Sequence, residues 1–171
     1  GIISFIPNKD FTGKVSFPYT ISDGKTTATA NEIITITPID VPPTVNNVSD
    51  ATVIEGAVLE HNVTLSNPSI KAETYTFDLS GVTATDGPDY SNAAADIVFS
   101  NGVTYDSGAG TIIVPVGVTN FTVSYPTLND SILENPETTE LEIGGVTGTG
   151  TIIDAGNAIP VVSIAATIPQ A

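Results

Sequence analysis

Residues 127–143 read TLNDSILENPETTELEI. Asp130, Glu134 and Glu137 crowd into this stretch with no Lys or Arg near them. Carboxylates packed this closely repel one another unless something positive bridges them. Hard oxygen ligands on flexible loops are what Ca²⁺ takes, six to eight at a time, backbone carbonyls included. The ion inverts the local logic, so that repelling anions become ligands. Other carboxylates stand at comparable places: Glu55 in VIEG, Asp86 and Asp89 in TDGPDY, and Asp154 at the close of a strand pattern. In a chain of strands running up and down, such loops can converge on one end. Spacing alone does not decide the matter, since neither an EF-hand pattern nor glycine-rich nonapeptide repeats occur. Solvated loop acids in an acidic protein are the plain alternative.

The elements that must position these residues read as strands. Leu59, His61, Val63 and Leu65 alternate with polar neighbours, as do Val15, Phe17, Tyr19 and Ile21. The same holds for Tyr75, Phe77 and Leu79, for Ile112, Val114 and Val116, for Phe121, Val123 and Tyr125, and for Leu141 and Ile143. Period-2 alternation is the mark of half-buried strands. Turn phrases separate the runs: SDGK, SNPS, TDGPD, SNG, SGAG and GGVTGTG. The expected fold class is all-β, an antiparallel β-sandwich. ITPIDVPPTV sets a boundary, because Pro-Pro cannot continue a central strand. About three strands are expected before it and about seven from 41 to 154. A second junction follows at DAGNAIP, with a further strand expected at Val161 to Ile168. The two junctions resemble each other, which suggests a tandem array. Gly1 is not a natural start, and the chain is expected to be a piece of a longer polypeptide.

Composition narrows the function. Of 171 residues, 19 are Asp or Glu and four are Lys, with no Arg, for a net charge of −15. That balance argues against nucleic acid and against anionic membranes as partners, both of which call for basic patches. The absence of Cys excludes disulfides, thiolate metal sites and Cys nucleophiles. No run of 18 apolar residues exists, so no membrane insertion is expected.

VIEG, ATDGPDY and NDSILENPETTELEIGGVTGTGTIID together, in this order, resemble the Calx-beta domain, over residues 44–154. The resemblance implies an immunoglobulin-like sandwich that binds Ca²⁺ at one end. Matched by motif, it nominates Glu55, Asp89, Asp130, Glu134 and Asp154 as ligands, with the Ile132 carbonyl beside them and Asp86 and Glu137 as second choices. Where metal-rich members carry runs of Asp, this chain has NDS and DAG, which implies fewer ions, one or two. Residues 1–43, with PNKDFTG and FPYTISDG, resemble the C-terminal part of a bacterial cadherin-like repeat. That resemblance nominates Asp40 as a linker ligand, whereas Asp23 in SDGK is read as a turn residue. Residues 155–171 would be a linker and the first strand of a following repeat. Such alternation resembles large repetitive bacterial surface adhesins. It implies an extracellular structural segment whose partners are the neighbouring repeats.

Other readings are weaker. His61, the single histidine, shares a face with apolar residues and is read as structural. A carboxylate pair could hydrolyse glycosides, but such sites have aromatic walls and this chain has no Trp, so no enzyme is expected. A sugar-, peptide- or ice-binding adhesin module is the main alternative, and a cytosolic calcium sensor a further one. NVS, NVT, NFT and NDS fit the N-glycosylation pattern. That pattern arises easily by chance among Thr-rich strands, and a bacterial source would leave it idle.

Overall fold

The computed structural model describes residues 4–9, 11–130 and 132–156. Every regular element among them is a strand, as the period-2 alternation requires. No helix among them is long and apolar enough to cross a membrane. The chain divides into two compact units, Gly1–Val41 and Pro42–Ala171.

The first unit is an antiparallel hairpin of β1 (Gly13–Ser22) and β2 (Thr27–Ile36). Its turn is closed by Asp23, whose Oδ1 accepts the Lys25 and Thr26 N–H at 2.8 and 2.7 Å. Those donors stabilise the carboxylate and hold its pKa below the usual value. Asp23 is thus the turn residue expected. Val15 stands opposite Ile34 on one face, and Phe5 rests edge-on against Phe17 at 4.9 Å. About three strands were expected here; among the described residues there are two. The strand expected at Val161 to Ile168 lies outside the described residues.

The second unit is a sandwich of two sheets. One sheet has the order β3 (Val45–Val48), β5 (Val58–Leu65), β10 (Asn120–Pro126), β7 (Val98–Phe99). The other runs β4 (Ala51–Ile54), β12 (Val146–Ile153), β11 (Glu137–Ile143), β6 (Glu73–Gly81), β9 (Thr111–Val114), β8 (Thr104–Asp106). This is an all-β fold of the immunoglobulin-like sandwich kind. Among the described strands all pairings are antiparallel but one: β4 lies parallel to β12. The core is the set of alternating residues already picked out, Leu59 and Val63 on β5, Phe121, Val123 and Tyr125 on β10, Leu141 and Ile143 on β11.

Among the described residues ten strands form where about seven were expected from 41 to 154, and the extra ones are short or disguised. β7 and β8 are too brief to show alternation. β9 stops at Val114 because Pro115 has no N–H to donate, so Val116 is exposed outside the strand. The phrase GGVTGTG is a turn only at its two leading glycines; VTGTGTII is β12. Its glycines are strand residues because other atoms come close. A Cβ on Gly148 would lie 2.7 Å from the Ser49 carbonyl oxygen and 2.8 Å from that of Val48. Backbone cannot retreat as a side chain can. Gly148→Ala should therefore cost about 1–3 kcal/mol in denaturant unfolding; an unchanged midpoint would contradict this packing.

A buried polar chain ties the two sheets together. His61 Nδ1 lies 2.6 Å from the Ser49 carbonyl, which can only accept, so Nδ1 carries the proton. Nε2 is then an acceptor and takes the Tyr125 hydroxyl at 3.2 Å. Tyr125 in turn accepts from Thr139 Oγ1 at 2.6 Å. Each group is satisfied with neutral histidine. Burial pushes the His61 pKa down and that of Tyr125 up to about 12. His61 is thus a structural residue, as its place among apolar neighbours suggested.

Candidate metal centre

Three loops and two strand ends meet at one end of the sandwich. Glu55 sits in the turn Ile54–Ala57, closed by the Ala57 N–H on the Ile54 carbonyl at 3.1 Å. Gly56 follows with φ +81°, a backbone that favours glycine. A Cβ there would also stand 3.1 Å from Asn129 Cβ, so the 127–130 segment packs directly on this turn. Thr127 fastens the two, donating from N and Oγ1 to the Ala57 carbonyl at 2.9 and 2.7 Å. Asn129 Nδ2 then reaches Glu55 Oε1 at 3.0 Å.

The TDGPDY loop is fixed from the other side. Asp89 Oδ2 accepts the Thr85 N–H at 2.6 Å, while the Asp89 N–H returns to the Thr85 carbonyl at 3.0 Å. Leu128 N–H bonds the Asp89 carbonyl at 2.8 Å. Tyr90, buried, stacks edge-on against Tyr125 of the core. The ring anchors the loop, and Asp89 is carried inward to 8% exposure. The loop after β10 is held by acids acting as caps: Asp130 Oδ1 takes the Ile132 N–H at 2.6 Å, and Asp154 Oδ2 takes the Glu134 N–H at 2.8 Å.

The result is two carboxylate triads that share a member. Oxygens of Glu55, Asp130 and Glu134 lie within 4.8 Å of one another, and so do those of Asp89, Glu134 and Glu137. Two oxygens on opposite sides of one Ca²⁺ stand about 4.8 Å apart, so each triad spans what one ion requires. A cavity of ≈ 10 Å³ opens between Glu55, Asp89, Glu134, Asn135, Glu137, Ile152 and Asp154. That is roughly the room of one water-sized body. The donors are all hard carboxylate oxygens, a set that suits Ca²⁺ or Mg²⁺ rather than Zn²⁺. Lys71 is the one Lys or Arg beyond Val41 in the sequence, and its Nζ lies 3.9 Å from Glu73.

Repulsion is visible in the acids themselves. Desolvation first, then the Asp89, Asp130, Glu55 and Asp154 charges, raise the pKa of Glu134. Desolvation, a hydrogen bond to the Asp89 side chain and the charges of Asp89, Glu134 and Asp130 push Glu137 up to about 7. An acid whose pKa is higher folded than unfolded binds its proton better in the native state. The stability Glu137 contributes is therefore complete below pH ~4.5 and lost as pH rises through about 7. We predict that in chelator the unfolding midpoint falls over this window, and that Glu137→Gln flattens the fall. A slope unchanged by that substitution would contradict the assignment.

The structure thus brings together Glu55, Asp89, Asp130, Glu134, Glu137 and Asp154. Glu137, a second choice on sequence, is not a loop residue past Pro136 but the first residue of β11, opposite Ile152 and facing Asp89. Asp154 lines the cavity but belongs to neither triad; it accepts the Glu134 and Gly156 N–H groups. Asp86 also stands outside both triads, exposed, with Oδ1 taking the Asn92 N–H at 3.0 Å. Asp40 belongs to the first unit. Neither Asn129 nor Asn135 was read as part of this site in the sequence, because a neutral Asn does not mark an ion-binding loop as a carboxylate does.

A family model described as Bacterial Ig domain matches residues 1–37. No curated protein sequence matches the chain. Among solved structures, similarity extends to the crystal structure of CBD12 from CALX1.2, at 16% identity and a TM-score of 0.48, covering 66% of this chain and 44% of that one. Titin kinase and its flanking domains align at 13% identity and a TM-score of 0.32, covering 82% of this chain and 21% of that one. The M1 domain from titin aligns at 11% identity and a TM-score of 0.31, over 70% of this chain and all of that one. The chain thus spans less than half the length of the first two.

Proposed function

We propose that residues 42–156 are a calcium-binding structural module with two ion positions at one end, bridged by Glu134. The module is a segment of a large extracellular bacterial adhesin, and its partners are the neighbouring repeats of the same polypeptide. The observation that carries this reading is the pair of triads meeting at Glu134. The order of VIEG, TDGPDY and the 127–154 motifs, which resembles the Calx-beta domain, supports it. The match of residues 1–37 to a bacterial Ig domain supports the array.

The chain's own residues set the mechanism. Glu55, Asp130 and Glu134 would hold one ion, and Asp89, Glu134 and Glu137 the other. The backbone donors on Asp130 and Asp154 pre-shape the 130–137 loop. Bound Ca²⁺ supplies charge neutralisation. With the repulsion lifted, the 54–57 turn, the 85–90 loop and the 130–137 loop are clamped against one another, and this end of the sandwich stiffens. In a protein without Cys, that clamp takes the place of disulfides.

At ion concentrations about ten times the dissociation constant, each site adds about 1.4 kcal/mol to folding stability. Extracellular millimolar Ca²⁺ reaches that ratio for affinities of about 10⁻⁴ M. Thermal unfolding with calcium and with excess chelator should differ by several degrees. Identical midpoints would overturn the proposal.

A further inference from the structure

Asn129 sets a neutral amide against a charged carboxylate. Its Nδ2 stands 3.0 Å from Glu55 Oε1. An ionised carboxylate can only accept, so the amide faces it with its nitrogen, and the amide oxygen is turned away from Glu55. The fold builds this contact from both sides. Thr127 holds the 127–130 segment to the turn through the Ala57 carbonyl. Gly56 leaves room above the turn, since a Cβ there would stand 3.1 Å from Asn129 Cβ. The Glu55 N–H is fixed on the Ile153 carbonyl at 2.9 Å. That bond pins the Glu55 backbone but not the end of its long side chain, which keeps its rotamer freedom until something holds it. Asn129 holds it.

We propose that Asn129 is the positioning residue of the ion position formed by Glu55, Asp130 and Glu134. The inference rests on the calcium reading given above. The amide N–H carries partial positive charge and sits on the carboxylate, where bare like charges would turn Glu55 out to water. It fixes Oε1 and presents Oε2 to the ion. Asp130 is held in the same manner, with Oδ1 on the Ile132 N–H at 2.6 Å. At the other position Asp89 is oriented by a backbone donor instead, the Thr85 N–H at 2.6 Å. A change at residue 129 therefore reaches one position and spares the other.

The amide suits this place where its near relatives do not. Asp would set a carboxylate oxygen where the donor stands, and Ala would leave Glu55 to rotate. Asn129 is exposed, so its hydrogen bond exchanges with water and adds little to stability. Its effect falls on binding, because hydrogen-bonded partners one step out from a metal account for about 10- to 100-fold in affinity.

The test is calorimetric titration of the full chain with calcium, set beside melts in excess chelator. The parent is expected to bind in two steps. Asn129→Ala should weaken one step about 10- to 100-fold, leave the other within about twofold, and keep the chelator midpoint within a few degrees of the parent. Asn129→Asp should melt below Asn129→Ala in chelator, because it places a carboxylate against Glu55 with no ion between them. An Asn129→Ala chain that binds both ions as the parent does would overturn the positioning role and leave the calcium reading standing. Equal weakening of both steps would overturn it as well, and so would an Asn129→Asp chain as stable in chelator as Asn129→Ala. A parent that binds no calcium would overturn both readings together.

Discussion

Glu134→Gln should weaken calcium binding at both positions at once, by at least about 100-fold. Groups one step further out from a metal already account for 10- to 100-fold in affinity, and Glu134 is common to both triads. The same substitution should raise stability in chelator, because desolvation first, and then the Asp89, Asp130, Glu55 and Asp154 charges, disfavour this carboxylate in the native fold. The two effects have opposite signs and are read by one pair of melts, with calcium and without. Asp86→Asn, outside both triads, should leave affinity within about twofold by the same reasoning. A Glu134→Gln chain that still gains several degrees from calcium would remove the bridging role.

His61→Ala should cost about 3–5 kcal/mol, the range for deleting a large buried ring. It leaves a hole in the core, strips the Ser49 carbonyl of its donor and deprives the Tyr125 hydroxyl of an acceptor. The midpoint should fall by roughly 10–20 °C. Tyr125→Phe should cost less, about 1–2 kcal/mol, since the ring remains and Thr139 and His61 each lose one partner. His61 also gives the fold an acid limit. Its folded pKa lies below the unfolded value, so the unfolded chain takes the proton first. The stability it contributes is present above pH ~6.5 and drains away as pH falls below it. Glu137 in the ion-free protein slopes the opposite way over much of the same window, and the single variants at 61 and 137 separate the two. A His61→Ala melt within a few degrees of the parent would contradict the polar chain drawn between the sheets.

The core could be read from alternation because buried and exposed faces leave a period of two. Leu59, His61, Val63 and Leu65 are all buried on one face of β5. Strands set by contact rather than pattern could not be read. Gly148 sits in a strand because the Ser49 carbonyl comes close, and only the fold brings residue 49 to residue 148. The parallel seat of β4 beside β12 has no local signature either. At the ion-binding end the acidic residue types were plain, but their assembly depends on long-range fastenings. Thr127 on Ala57 and Leu128 on Asp89 draw the three loops together. Glu137 shows the limit most clearly: in the sequence it is only a second choice, yet the start of β11 turns that side chain onto Asp89.

Equilibrium dialysis against about 1 mM calcium, a concentration in the extracellular range, followed by a count of bound ions per chain, tests the central claim most directly. Two ions per chain are expected for the parent protein and essentially none for Glu134→Gln. A count of zero for the parent, or a count that Glu134→Gln leaves unchanged, would contradict it.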